Sequence, residues 1–156
     1  MNNKYKYTLA DMLGIKYEYY SPIKKKHKNK FNSHQYQCGI RAYMKISGES
    51  SKRVFKNIVN TAISKKQFNY GDNVEILIKV GKKYYGCKKL KIEEYTSVAT
   101  FCFLHKKGSY IIFIEGHVFP YVDGCIYDTN AEDKPYTRDN LEYVLTEPIE
   151  SVLVKR

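Results

Sequence analysis

Tyr110-Ile111-Ile112-Phe113-Ile114-Glu115-Gly116-His117-Val118-Phe119-Pro120-Tyr121-Val122-Asp123-Gly124-Cys125-Ile126-Tyr127-Asp128 is the stretch that decides the fold class. Its first five residues are β-branched or aromatic, side chains that suit a pleated, half-buried surface. Gly116 separates them from a second run, His117 to Val122. Asp123-Gly124 is the residue pair that a two-residue type I′ turn demands, because both central positions need positive φ. Cys125 to Asp128 then reads as the returning strand. Successive hairpins place an antiparallel sheet in the second half of the chain. Pro120 cannot donate to a ladder, which predicts an edge position, a bulge or a wider turn there.

Upstream the apolar period lengthens from that of a strand to that of a helix. Ile40, Tyr43, Met44 and Ser47 recur at i, i+3, i+4 and i+7 and predict a helix over 38–47, stopped by Gly48. Ser50 or Ser51 caps a second helix over 52–66, with Val54, Phe55, Ile58, Ala62 and Ile63 on its inner face. Asp72 caps a third through Lys79, with Val74, Leu77 and Ile78 inward and Gly81 as its stop; the alternation of Ile76, Ile78 and Val80 allows a strand instead. Ser97 caps a short helix over 98–105, with a strand over 99–104 as the alternative, and 149–154 predicts a closing edge strand. N-terminal helices packed on a C-terminal antiparallel sheet make the class α+β.

At 156 residues and 43% apolar composition, the chain can build one core. It has no run near the roughly 18 apolar residues of a transmembrane helix. Lys4, Lys6, Asp11, Lys16 and Glu18 break up the first twenty residues, so a signal-peptide core is not expected. The expected location is the cytoplasm, with no membrane partner. Cys38, Cys87, Cys102 and Cys125 form no C-x-x-C pair, so neither a metal nor another cofactor is expected, and the thiols are expected to be free.

The net charge of +11 is unevenly spread. Residues 1–108 carry 23 Lys/Arg and 7 Asp/Glu; residues 109–156 carry 4 and 9. Lysine outnumbers arginine by 23 to 4, whereas readers of nucleic-acid bases lean on arginine. Abundant Lys, Asn, Ile and Tyr also fit an AT-rich coding sequence. Residues 1–31 read as a basic, Tyr-rich N-terminal arm ahead of one domain over 32–156. In that arm Lys24, Lys25, Lys26, Lys28 and Lys30 form a solvated loop on the simplest reading, or a contact for nucleic acid, another polyanion or an acidic protein.

Cys38 stands at the start of the first predicted helix, where free N–H groups favour a thiolate. Its position alone better suits a buried cysteine plugging the helix start. If Asp123 and Gly124 are the central turn residues, Phe119 faces Asp128, and His117 shares that face by alternation. Asp128 is then a diagonal neighbour of His117, at a separation that permits a His–carboxylate hydrogen bond. A thiol, an imidazole and a carboxylate in that relation are the nucleophile, base and orienting acid of cysteine hydrolases.

Gln35-Tyr36-Gln37-Cys38-Gly39-Ile40-Arg41-Ala42 resembles the nucleophile segment of papain-like cysteine peptidases, and Gly116-His117 through Asp128-Thr129 resembles their His-hairpin-Asp segment. The likeness spans about residues 32–130 and is closest to compact forms such as bacteriocin-leader peptidases and small phage and bacterial proteins. It implies a papain-like fold and a peptidase, isopeptidase or amidase acting on a protein or peptide, with Cys38 as nucleophile, His117 as general base and Asp128 as orienter. It also implies a phage or low-GC bacterial source, hence the host cytoplasm if the chain is phage-encoded. Asn32 stands where the family usually places a glutamine as oxyanion donor, six residues before the cysteine, and Gln35 is a second candidate. Gly39 matches the bacteriocin-leader group, whereas Gln37 replaces the aspartate common in the compact forms. His34 and His105 are assigned no catalytic role.

Overall fold

The computed structural model describes residues 8–20, 34–64, 74–129 and 138–156, with the backbone alone at 34–37 and 138–140. Among them are six helices: α1 (Leu9–Leu13), α2 (His34–Ser47), α3 (Ser51–Ser64), α4 (Val74–Tyr84), α5 (Val98–Leu104) and α6 (Arg138–Thr146). Six strands, β1 (Lys16–Tyr19), β2 (Cys87–Leu90), β3 (Ser109–Ile114), β4 (His117–Val122), β5 (Cys125–Asp128) and β6 (Ser151–Lys155), form one sheet in the order β1-β5-β4-β3-β6-β2. All neighbours are antiparallel except β1 and β5. The architecture is mixed helix and sheet.

The hairpins form as their residues dictate. Asp123 and Gly124 take φ of +46° and +85°, the two positive values of a type I′ turn. Gly116, at φ +74°, closes the β3–β4 connection. Pro120 departs from expectation, because it lies in an interior strand, opposite Ile111 of β3, without a widened turn. Its missing N–H is accommodated on the other side. There the pairing of β4 with β5 runs through Val122↔Cys125 and Tyr121↔Ile126, then meets Pro120, which has no donor to give.

Alternation along the strands builds two cores. Ile112, Phe119, Tyr121, Ile126 and Val152 face one way, with Ala10 of α1, Phe101 of α5 and Leu145 of α6. Ile111, Phe113, Val118 and Leu153 face the other, with Ile40 and Tyr43 of α2, Ile58 of α3 and Leu77 of α4. The sheet is therefore covered on both faces rather than by N-terminal helices alone.

Three elements depart from expectation. α4 runs through Gly81 to Tyr84, and the left-handed residue beyond it is Gly86, at φ +66°. Gly81 is there for close packing, since a Cβ would stand 2.6 Å from the Tyr43 hydroxyl and 2.7 Å from Leu153. In the same helix Ile76 and Val80 are fully buried, and Val74 and Ile78 only half-buried. The 149–154 strand is interior, because the unforeseen β2 pairs outside it. Ile63, expected on the inner face of α3, is 60% exposed, and Asn57 and Thr61 are buried there instead.

Residues 8–20 of the expected arm are built into the domain. Thr8 and Asp11 make a reciprocal capping box on α1, and Glu142 of α6 accepts from the Leu9 N–H. β1 lies parallel on the outer edge of β5, in register Lys16↔Cys125 to Tyr19↔Asp128.

Candidate active site

Helix α2 begins at His34, so Cys38 lies one turn inside rather than at the first residue. The helix dipole acts mainly over the first turn, so Cys38 depends more on neighbouring side chains than a first-turn cysteine would. Cys38 is half-buried, and the other three cysteines are buried. Burial pushes Cys87 up to about 11 and Cys102 up to about 12, and raises Cys125. Those three are small core residues with suppressed acidity.

His117 opens β4 immediately after the Glu115-Gly116 turn. Its Nδ1 lies 3.3 Å from Cys38 Sγ, within hydrogen-bond range for sulfur. The ring lies near Phe119, with centroids 5.7 Å apart and planes inclined by 30°. Part of the residue reaches solvent, while Nε2 is buried. Burial lowers the imidazole to about 4, and the negative charge of Asp128 opposes that shift without reversing it. At neutral pH the ring is therefore uncharged. With its proton on Nε2, Nδ1 presents a lone pair to the thiol and can accept its proton.

Asp128 is fully buried at the end of β5. The pair Tyr121↔Ile126 fixes the alternation, so Asp128 shares a sheet face with His117, as the turn register predicted. Three contacts hold the end of the strand. The Tyr17 hydroxyl donates to Asp128 Oδ2 at 2.7 Å. The Tyr20 N–H donates to the Asp128 carbonyl at 2.8 Å. Thr129, also fully buried, donates its hydroxyl to the Val118 carbonyl at 2.6 Å and ties β5 back to β4 beyond Pro120.

Tyr17 is the site residue that sequence reasoning missed. The sequence marks 17–20 only as part of a Tyr-rich arm, and nothing local names β5 as its partner. Asp123, by contrast, is spent as expected: it makes the turn, and its Oδ1 accepts the Gly108 N–H at 2.9 Å. His105 ends α5 and stacks on Phe101 at 4.2 Å.

An open recess of about 380 Å³ adjoins the imidazole, lined by Ile114, Glu115, His117, Tyr143, Val144 and Glu147. A second cavity, of about 430 Å³, lies on α3 and α4 and is lined by Thr61, Ser64, Lys79, Lys82 and Lys83. Of the remaining candidates, Asn32 and the run Lys24, Lys25, Lys26, Lys28 and Lys30 lie outside the described residues, as does the side chain of Gln35 in the first turn of α2. The described residues contain no group of three His, Cys, Asp or Glu that could hold a metal ion, and no helix among them is long and apolar enough to cross a membrane. Comparison of the chain with family models, curated proteins and solved structures finds no match.

Proposed function

We propose that the chain is a papain-like cysteine hydrolase in which Cys38 attacks an acyl carbon. The observation that carries this reading is the 3.3 Å approach of the His117 Nδ1 to the Cys38 sulfur. His117 takes the thiol proton as Cys38 Sγ bonds to the carbonyl carbon, then returns it to the leaving amine as the C–N bond breaks. Water, deprotonated by the same imidazole, displaces Cys38 and releases the acid. Asp128, whose negative charge acts on the ring, compensates the imidazolium that forms in each half-reaction. A buried carboxylate acting on the ring, and three other cysteines suppressed by burial, support the same assignment. The substrate class is an amide, isopeptide or thioester of a protein or peptide.

An activated ester tests the whole cycle. Incubation with p-nitrophenyl acetate is expected to give a burst of nitrophenolate, a thioester on Cys38 detectable by intact mass, and slow turnover. All three should vanish in Cys38→Ala. Hydrolysis that persists in Cys38→Ala would overturn the proposal.

A second reading, a binding protein with an idle thiol, draws support from the lysine-lined cavity on α3 and α4. It expects salt-dependent retention on heparin that survives Cys38→Ala.

A further inference from the structure

The recess beside the imidazole lies where the β3–β4 turn meets α6, and Glu115, Tyr143 and Glu147 supply its polar walls. Tyr143 is 67% exposed although it is a large aromatic. Glu115 and Glu147 line the same recess, and the charges of both bear on the Tyr143 hydroxyl. Among the described residues that line the recess there is no lysine or arginine. In acyl transfer to Cys38 the imidazolium hands its proton to the departing atom, so the leaving group must stand beside the ring. His117 is one of the residues that line this recess.

We propose that this recess receives the leaving-group side of the substrate and selects a cationic group there, a lysine- or arginine-like side chain seated between Glu115 and Glu147 against the face of Tyr143. The inference rests on the Cys38–His117 assignment above. A cation there gains charge-assisted hydrogen bonds and an aromatic face. The overall charge works the other way, since a field from a net +11 draws anions toward the chain. A preference for cations at Cys38 must therefore come from local groups.

Three symmetric disulfides of similar size separate these effects on the full-length protein: cationic cystamine, neutral 2-hydroxyethyl disulfide and anionic dithiodiglycolate. In each exchange Cys38 Sγ bonds to one sulfur, the S–S bond breaks, and the departing thiolate takes the proton from the imidazolium. Rates at Cys38 are read by mass spectrometry at low ionic strength. Each rate is divided by that of the same disulfide with N-acetylcysteine amide, which removes the difference in leaving-thiol acidity. On that scale cystamine is expected to react at least about fivefold faster than dithiodiglycolate, a modest ratio because the carboxylates are partly solvated. The ratio should fall below one in Glu115→Gln/Glu147→Gln, and should shrink toward one in the unmodified chain at about 1 M salt. Equal rates or a faster anion in the unmodified chain, or a ratio unmoved by the double substitution, would overturn the inference. If the double variant does not fold, the salt series on the unmodified chain decides: a ratio insensitive to salt overturns it. A neutral disulfide that reacts no faster than it does with His117→Ala would instead overturn the hydrolase assignment and this inference with it.

Discussion

Two cavities of similar size sit at different places on this molecule, and their chemistry is opposite. The one on α3 and α4 is ringed by Lys79, Lys82 and Lys83, of which Lys79 already pairs with Glu75 at 2.8 Å. The one at the β3–β4 turn is walled by Glu115, Tyr143 and Glu147 and abuts an imidazole in contact with a thiol. Size does not separate them. What does is the coupling of titratable groups: lysines side by side offer only a positive field, whereas His117 lies 3.3 Å from the Cys38 sulfur and feels the charge of Asp128. The uneven charge of the chain is written into this difference, because the residues that wall the acidic recess all lie in the segment after residue 108.

Four expectations sharpen the comparison or break it. The largest effect concerns the base. His117→Ala should slow alkylation of Cys38 by about a hundredfold at pH 7, the low end of what a positioned base contributes. Iodoacetamide followed by peptide mapping measures it. The pH profile follows from the depressed imidazole: it stays neutral down to about pH 4. The advantage of the unmodified chain over His117→Ala should thus persist on acidification and disappear below about that pH.

The same group makes the fold acid-sensitive. His117 titrates near 4 when folded and near its ordinary 6.5 when unfolded, so the unfolded chain binds the extra proton between those values. Its contribution to stability is complete above about pH 6.5 and is lost as the pH falls toward 4. The loss is at most about 3 kcal/mol, less for the part of the residue that solvent reaches. Urea unfolding at pH 7 and pH 4.5 should show it, with a smaller drop in His117→Gln. A drop of the same size in both proteins would assign the acid sensitivity elsewhere.

The two aspartates of the hairpin should behave differently. Asp128→Asn should cut Cys38 reactivity by about tenfold or more at neutral pH while the fold persists, because an amide cannot compensate the imidazolium. Asp123→Asn should change the same rate less than about twofold, since Asn-Gly also makes a type I′ turn and keeps the oxygen that accepts from Gly108. Equal losses from both would make the His117–Asp128 relation structural.

The smallest effect reaches across the sheet. Tyr17→Phe removes one hydrogen bond to Asp128, worth about 1 kcal/mol, or about fivefold in rate if the carboxylate's position matters to the imidazole. Nitrogen-15 shifts of His117 provide a readout that packing alone would not move: a single tautomer in the unmodified chain and a mixture in Tyr17→Phe. An unchanged tautomer and rate would confine Tyr17 to holding β1 in place.

What the sequence disclosed divides along the range of the interactions. The hairpins, the type I′ turn and the shared face of His117 and Asp128 follow from residues within a dozen positions of one another, and all are as read. The helix starting at Ser51 and the Ser97 cap, whose hydroxyl accepts from the Thr100 N–H, are local for the same reason. Gly81 was misread as a stop because its purpose is the approach of Tyr43 and Leu153, which no local pattern announces. Cys87-Lys88-Lys89-Leu90 has weak strand character and is a strand because β6 offers it an edge. Tyr17 and Asp128 stand 111 positions apart, and only the parallel seating of β1 on β5 brings them together.

The sharpest check on the thiol–imidazole pair is a competition among the four cysteines within one molecule. Under limiting iodoacetamide at pH 7, Cys38 should be labelled well ahead of Cys87, Cys102 and Cys125 in the folded chain, and His117→Ala should remove that lead while the three buried thiols keep their rates. Labelling of Cys38 at the same rate with and without the His117 ring would show that the 3.3 Å contact activates nothing, and would contradict the assignment of Cys38 as a nucleophile.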